Sequence, residues 1–185
     1  MPKTIVVYHS GYGHTKRMAE TVAQGAAAQL IAIDANGDIG EADWQALDQA
    51  DAIIMGSPTY MGSVSWQFKK FADATSKKWF TQQWKDKVFA GFTNSASTNG
   101  DKLSTLQFLT TLAMQHGGIW VSTGMMPSNQ KASTANDINY MGSFLGAMAR
   151  SPSDASVDEM FEGDLKTARL FGERVASITK NFKAQ

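Results

Sequence analysis

A short glycine-containing segment near the start of the sequence has the composition of a phosphate-binding loop. It reads Ser10-Gly11-Tyr12-Gly13-His14-Thr15, and the helix-like residues Lys16-Arg17-Met18 follow it. The two glycines permit a tight turn in which successive N–H groups point to one centre. A helix N-terminus behind the turn adds free donors and a positive dipole end. The hydroxyls of Ser10 and Thr15 can also donate to phosphate oxygens. This 10–15 loop therefore predicts a site for the phosphate of a mononucleotide.

Two nucleotide-binding motifs and an ordinary turn compete with this interpretation. A Walker A loop would end in Gly-Lys followed by Ser or Thr, and the segment has no such ending. A Rossmann fingerprint would place a third glycine where Lys16 stands, although Asp34 lies at about the spacing of a ribose-binding acid. A tight turn between a strand and a helix, without any ligand, is the remaining alternative.

Two later segments place polar or conformationally special residues after apolar runs. The 56–63 loop, Gly56-Ser57-Pro58-Thr59-Tyr60-Met61-Gly62-Ser63, contains a proline and a glycine that restrict its shape, so a flat aromatic ligand can lie against Tyr60 or Met61. The 93–100 loop, Thr93-Asn94-Ser95-Ala96-Ser97-Thr98-Asn99-Gly100, offers many donors and acceptors, which suit the pyrimidine edge of a flavin. A turn capped by Ser63 and a solvent-exposed loop are the respective alternatives.

Apolar runs and helix-length segments alternate along the chain and would position these loops. The runs are mostly apolar on both faces, as in strands covered by helices, and comprise Thr4–Tyr8, Leu30–Ile33, Ala52–Met55, Val88–Phe92 and Ile119–Val121. The helical segments are His14–Gln29, Ala42–Gln49, Val64–Lys78, Lys102–His116 and Leu165–Phe182. The alternation predicts an α/β, flavodoxin-like three-layer sandwich: a five-stranded parallel sheet of order 2-1-3-4-5 with helices on both faces.

In such a sheet, ligands bind outside the carboxyl ends of the strands, and the three loops follow strands 1, 3 and 4. Other five-stranded α/β proteins share this pattern and bind no nucleotide, so the fold does not decide the function. We expect a single domain over residues 1–185. The stretch from Gly124 to about Gly163 has no clear periodicity; it covers the ligand, builds an oligomer contact or is a disordered excursion.

Composition excludes several classes of function. The 17 acidic and 17 basic residues cancel, so we expect no binding to nucleic acid. Cysteine is absent, which excludes disulfides, thiolate metal sites and cysteine nucleophiles, and we predict no metal site. No apolar run approaches the roughly 20 residues of a membrane span, and Met1-Pro2-Lys3 leads directly into a strand-like run without a secretory signal. These features predict a soluble, cytoplasmic protein without membrane insertion.

At the three loops the sequence resembles the WrbA-type NAD(P)H:quinone oxidoreductases of the flavodoxin-like superfamily. Tyr8-His9-Ser10-Gly11-Tyr12-Gly13-His14 matches the family's Tyr-x-Ser-x-Tyr-Gly-His, and Ala50–Thr59 matches its third strand and flavin loop. The resemblance implies FMN as cofactor, with residues 10–15 at its phosphate and residues 59–61 and 94–99 at its ring and ribityl chain. NAD(P)H would pass a hydride to the flavin near Tyr12, and a quinone would then take two electrons.

The same resemblance implies an active-site tryptophan, a histidine and a homodimer or homotetramer. Trp79 stands at the position of a family tryptophan that lines the quinone pocket; otherwise it is an aromatic residue at a helix end. An ungapped alignment puts Met114 at the family's active-site histidine, whereas a gapped one puts His116 there. Alternatively, His116 sits at a helix C-terminus before a capping Gly117.

The sequence departs from the family at three places. Tyr60 replaces an arginine, the 94–99 stretch replaces a glycine-rich loop, and the Asp34–Gly40 segment is short, which bears on the oligomer and the nicotinamide site. Two rival functions follow from the same fold: a flavodoxin-type electron carrier without its own substrate, and a flavin-free interaction domain. Electron carriers of this fold are typically acidic, so the net charge of zero favours the reductase.

Overall fold

Strands and helices alternate along residues 2–184, which are the residues that this computed structural model describes. The strands are β1 (Thr4–Tyr8), β2 (Gln29–Ala32), β3 (Ala52–Tyr60), β4 (Ser63–Val64), β5 (Val88–Ser95), β6 (Ile119–Trp120) and β7 (Ala147–Arg150). The α-helices are α1 (His14–Ala26), α2 (Glu41–Gln49), α3 (Trp66–Ala74), α4 (Ser76–Phe80), α5 (Lys102–Gln115) and α6 (Glu162–Lys183), and a short 3-10 helix covers Val157–Glu159.

The central sheet has the order β2-β1-β3-β5-β6 with parallel pairs, which confirms the predicted flavodoxin-like fold. Its fifth position is shared by two strands: β6 pairs with Val88 and Phe89, whereas β7 pairs with β5 from Phe92 to Ser95. Residues 121–146 run outside the sheet between them. The 124–163 stretch, which has no clear periodicity in the sequence, therefore contains β7 and the 3-10 helix, both too short to produce a periodic pattern.

β3 and β5 extend farther than their apolar runs predict. Their parallel pairing with each other persists to Pro58 and Asn94. β3 then continues through Tyr60 by pairing with β4, and β5 continues through Ser95 by pairing with β7. The carboxyl ends of β1, β3 and β5 therefore lie side by side, and we call this the carboxyl edge of the sheet. The opposite edge, where these strands begin, is the amino edge.

Helices cover both faces of the sheet and bury two separate cores. α1 and α6 cover one face, where side chains such as Met18 and Phe171 pack against Val6. α2, α3 and α5 cover the other, where side chains such as Phe68 and Leu109 are fully buried. Removing this apolar surface from water stabilises the sandwich by roughly 25 cal/mol per Å².

One predicted helix is two helices in the structure. The segment predicted over residues 64–78 ends at Ala74 and restarts at Ser76 as α4, with Thr75 between them. The Thr75 hydroxyl donates to the carbonyl of Ala72 (2.6 Å) and contacts the ring of His116 (2.9 Å between Oγ1 and Nε2). A side chain that bonds its own backbone in this way competes with the helix, which explains why periodicity alone missed the break.

Candidate functional site

The three predicted loops converge on one cleft at the carboxyl edge of the sheet. A cavity of about 180 Å³ lies between them. Among residues 2–184, its lining residues come from these three loops alone: Tyr12, His14, Thr15, Pro58, Thr59, Tyr60, Asn94, Ser95 and Ala96. The tertiary structure thus brings together residues that are more than 80 positions apart in the sequence, from Tyr12 to Ala96.

The 10–15 loop has the geometry of an anion cradle. Gly13 precedes α1 with φ +92°, a left-handed conformation that glycine adopts at little cost. Its N–H donates to Ser10 Oγ (3.1 Å), which closes the turn. The first N–H groups of any helix lack intrahelical acceptors, and those of α1 also lack a side-chain cap, so they are available to a ligand. These donors and the helix dipole fit a phosphate group.

Tyr60 joins the 10–15 and 56–63 loops. A Cβ placed on Gly11 would lie 2.6 Å from Tyr60 Oη, so glycine is required for this close approach. The Tyr60 ring meets Tyr12 edge to face, with ring centroids 6.2 Å apart. Burial raises the pKa of the Tyr60 phenol, Tyr12 adds to this rise, and the Gly11 backbone opposes it. Tyr60 therefore supplies packing and a neutral hydroxyl where the resembling family has a charged arginine.

The tip of the 56–63 loop is a two-residue hairpin between β3 and β4. Met61 (φ +46°) and Gly62 (φ +76°) both adopt left-handed conformations, as a tight hairpin of this kind requires. The Met61 side chain is fully exposed, and the Tyr12 side chain on the neighbouring loop is 80% exposed. Together they present apolar surface at the mouth of the cleft.

Two of the predicted binding side chains are committed to holding the site together. Thr59 Oγ1 lies 2.8 Å from both Thr93 Oγ1 and Thr105 Oγ1 in a buried chain of hydroxyls. Asn94 Oδ1 accepts a bond from the Ser151 hydroxyl (2.9 Å), which ties β5 to the segment after β7. These two side chains therefore fix the backbone of their loops, while their exposed neighbours remain open to a ligand.

A buried lysine beneath the 93–100 loop escaped the sequence prediction. Lys102 Nζ donates to Ser95 Oγ (3.0 Å) and to the carbonyls of Ser97 (2.6 Å) and Thr98 (2.9 Å). Burial lowers the pKa of Lys102 to about 8, which the charge of Asp164 partly opposes. Its sequence signal is its position as the only charged residue of α5, in a helix of otherwise apolar and uncharged polar residues.

Arg150 and Asp164 complete this support from distant parts of the chain. Arg150 Nη1 donates to Thr98 Oγ1 (3.0 Å), and its guanidinium lies 4.3 Å from the Phe161 ring centre. Asp164 accepts from the Arg150 backbone N–H (2.8 Å). Burial raises the pKa of Asp164 to about 6, against the opposing effects of that hydrogen bond and of both cations.

The segment after β7 covers the 10–15 loop. His14 Nε2 lies 3.1 Å from the Ala155 carbonyl, and Val157 Cγ2 would lie 2.9 Å from a Cβ on Gly13. Within the 124–163 stretch, Ala155 and Val157 therefore lie against the 10–15 loop.

Trp79 and His116 lie away from this cleft. α5 starts at the carboxyl edge and runs back for 14 residues, about 21 Å, so His116 at its end reaches the amino edge. Both residues line a separate cavity of about 410 Å³ between α3, α4 and α5. Within one chain they cannot contact a ligand held by the three loops. Met114, the alternative to His116, lies on the last turn of the same helix and is about half exposed.

His116 is buried and neutral in this position. Because the Thr75 hydroxyl already donates to Ala72, His116 Nε2 carries the proton and donates to Thr75 Oγ1. Its Nδ1 has no partner in residues 2–184. The ring packs against Trp84, with centroids 4.8 Å apart, and burial lowers the pKa of His116.

Two further classes of site find no support in the described residues. Within residues 2–184, no helix is long and apolar enough to cross a bilayer. The same residues contain no cluster of three or more His, Asp or Glu side chains that could hold a metal ion.

Comparison with known proteins agrees with the geometry of the cleft. Residues 34–132, more than half of the chain, match the family described as NADPH-dependent FMN reductase. The chain belongs to this family. The chain is flavodoxin-like and binds FMN. The family and the cofactor that the three loops predicted are therefore confirmed.

Three relatives illustrate the range of names among similar proteins. The chain is 59% identical over 184 residues to flavodoxin FldP of Pseudomonas aeruginosa, with complete coverage of both chains. It is 33% identical over 195 residues to an NAD(P)H dehydrogenase (quinone) of Azorhizobium caulinodans, covering 95% of this chain and 96% of the relative. The crystal structure of the flavodoxin, WrbA-like protein from Agrobacterium tumefaciens is 57% identical, with a TM-score of 0.82 and coverage of 98% and 99%.

Proposed function

We propose that this protein is an FMN-dependent NAD(P)H:quinone oxidoreductase. When bound, FMN supplies the two-electron chemistry that links a nicotinamide nucleotide to a quinone. The observation that carries the proposal is the convergence of the 10–15, 56–63 and 93–100 loops on one cleft beside an uncapped helix N-terminus. Relatives named NAD(P)H dehydrogenase (quinone), at about 30% identity over nearly the whole chain, support the same activity.

Each loop has a separate task in this proposal. Residues 10–15 hold the FMN phosphate through backbone N–H groups of the turn and of α1. Pro58, Thr59, Tyr60, Met61 and Gly62 would hold the flavin ring, and the first three of them line the cavity. Residues 94–99 face the pyrimidine edge, where backbone donors stabilise negative charge.

The mouth of the cleft is open enough for a second planar molecule. Tyr12 lines the cavity, Met61 lies at the hairpin tip beside it, and both are largely exposed, so a nicotinamide or quinone ring can stack beside the flavin without displacing buried side chains. Within residues 2–184, no lysine, arginine, aspartate or glutamate lines the cavity, which suits an uncharged quinone.

We further propose that a homodimer or homotetramer completes the site. Trp79 and His116 can act on a quinone only if a second copy brings their cavity to the carboxyl edge, because their own helix carries them away from it. Exposed apolar side chains at both places favour such a contact: Trp79 and Phe80 are 52% and 82% exposed, and Met61 is fully exposed. We expect the purified protein to elute as an oligomer of two or four chains.

The first experiment measures oxidation of NADH and NADPH by the FMN-loaded protein, with and without benzoquinone. Strong quinone-dependent turnover that disappears in the flavin-free protein supports the reductase and gives the nucleotide preference. Protein that binds FMN but oxidises neither nucleotide contradicts the enzyme. Free FMN at the same concentration is the control for uncatalysed transfer.

An electron carrier is the second candidate, and one comparison favours it. A relative of 59% identity over the full length bears the name flavodoxin. The net charge of zero argues against it, because such carriers dock on redox partners through an acidic surface. The flavin-free interaction domain finds no such support, because the chain belongs to an FMN-binding family.

A further inference from the structure

Lys102 is a fully buried cation placed directly under the 93–100 loop. Its three ammonium protons match three acceptors: Ser95 Oγ and the main-chain carbonyls of Ser97 and Thr98. A hydrogen-bonded ammonium with every donor satisfied compensates part of the cost of burying its charge. Residues 96–99 of the loop are exposed, and Lys102 binds the carbonyls on their inner side. Lys102 thereby also contributes to the orientation of the loop backbone.

The contribution follows from the geometry of the peptide group. In a planar trans peptide, the C=O of one residue and the N–H of the next point in opposite directions. Because the Ser97 and Thr98 carbonyls point at Lys102, the N–H groups of Thr98 and Asn99 point away from it. In the described part of the chain neither N–H has a protein acceptor. Lys102 thus orients the N–H groups of Thr98 and Asn99 toward the outer side of the loop.

Arg150 and Asp164 hold this arrangement from below. Arg150 fixes the Thr98 side chain through its Nη1 and is itself held against the Phe161 ring. The Asp164 carboxylate, almost fully buried, accepts the Arg150 backbone N–H. With all three groups ionised, the cluster carries one net positive charge under the loop.

We propose that Lys102 is a positioning residue for the flavin, which orients the Thr98 and Asn99 N–H groups toward the pyrimidine edge and thereby favours reduced over oxidised FMN. This inference rests on the proposed function, since it requires FMN in the cleft. Negative charge increases at the pyrimidine edge when FMN is reduced, so donors held in place there bind the reduced form more strongly than the oxidised form.

The experiment compares dissociation constants for oxidised and for anaerobically reduced FMN in wild type and Lys102→Met. We expect weaker binding of both forms, with the ratio of reduced to oxidised constants rising about tenfold. For a two-electron couple, a tenfold change in this ratio corresponds to a potential lower by about 30 mV. Lys102→Arg keeps the charge and several donors, so its ratio should stay within about threefold of wild type.

Lys87→Met is the matched control. Lys87 is also buried and also donates to two main-chain carbonyls, those of Asp48 and Ala50, but at the amino edge. Its ratio of constants should equal that of wild type. A ratio that is unchanged in Lys102→Met, or changed equally in Lys87→Met, overturns the inference.

A measurement on the wild type avoids dependence on how the variants fold. In amide NMR spectra, the Thr98 and Asn99 resonances should shift when FMN binds and again when the bound flavin is reduced. Resonances that stay in place on reduction overturn the role of Lys102 even if FMN binds. A wild type that binds no FMN overturns the proposed function as well, so the two failures are distinguishable.

Discussion

Two buried lysines stand at opposite edges of the sheet and use their ammonium groups in the same way. Lys87, directly before β5, donates to the main-chain carbonyls of Asp48 (2.8 Å) and Ala50 at the amino edge. Lys102, after β5, donates to the carbonyls of Ser97 and Thr98 at the carboxyl edge. Burial is the largest cause of the lowered pKa of both residues.

The surroundings of the two ammonium groups differ. At the amino edge the Asp48 carboxylate accepts from Lys78 Nζ (2.5 Å) and from Trp84 Nε1 (2.9 Å), and Trp84 packs on His116. These groups satisfy one another in a partly buried cluster. At the carboxyl edge, the carbonyls that Lys102 binds belong to an exposed loop. A buried lysine thus binds carbonyls around the end of α2 at the amino edge, whereas at the carboxyl edge it binds a loop whose Thr98 and Asn99 N–H groups have no protein acceptor in residues 2–184.

The substitution with the largest expected effect disrupts side-chain packing at the amino edge only. Trp84→Ala removes a side chain that is 1% exposed and packs on Trp44, Phe89 and His116, so we expect a loss of about 3–5 kcal/mol in the free energy of unfolding. Urea denaturation measures this loss. FMN affinity, measured on folded protein at low temperature, should stay within about twofold of wild type; a large loss of affinity would show that the two edges are coupled.

Replacing one glycine by alanine at each edge compares the two edges with the same substitution. Gly13 (φ +92°) precedes α1 at the carboxyl edge, and Gly117 (φ +68°) follows α5 at the amino edge. Alanine at either position should cost about 1–2 kcal/mol because both conformations disfavour a Cβ. Only Gly13→Ala should also weaken FMN binding, by about tenfold or more, since Val157 crowds the new Cβ and the cradle must shift. Equal affinities in the two variants would contradict the assignment of the phosphate site.

The pH dependence of stability should carry opposite signs for Asp164 at the carboxyl edge and His116 at the amino edge, and Asp164 gives the larger effect. Its pKa is raised from 3.8 to about 6, chiefly by burial, so the folded state takes up a proton before the unfolded state does. This group therefore adds stability as the pH falls through 6, by about 1 kcal/mol between pH 7 and pH 5. Asp164→Asn cannot titrate, so the gain should vanish in that variant when unfolding is measured at both pH values.

His116 at the amino edge should act in the opposite direction and more weakly. Burial lowers its pKa below the ordinary 6.5, so its contribution to stability is present above pH 6.5 and is lost as the pH falls. Linkage limits this loss to about 0.7 kcal/mol between pH 7 and pH 6. His116→Gln keeps a donor for Thr75 and does not titrate, and unfolding curves at the two pH values should then differ less than in wild type. His9 is buried with a lowered pKa as well, and His9→Gln is the control for its share.

The sequence by itself determined the fold class and the three loops. Apolar runs bounded by turn residues identify the parallel strands because burial on both faces leaves a local pattern. The turn of glycines before α1 is equally local, since left-handed backbone and helix N-termini have their own sequence preferences. From these local patterns the alternation of elements led to the strand order, and hence to the edge where Ser10–Thr15, Gly56–Ser63 and Thr93–Gly100 meet.

Only the tertiary structure decided which residues support that edge and which lie away from it. Lys102, Arg150 and Asp164 come from α5, β7 and α6, and no sequence pattern links them, because their contact is created by packing between distant segments. The split of the fifth sheet position also depends on long-range pairing with β5. The direction of α5 carries His116 to the amino edge, since a helix that follows a parallel strand must run back across the sheet before the next strand can begin.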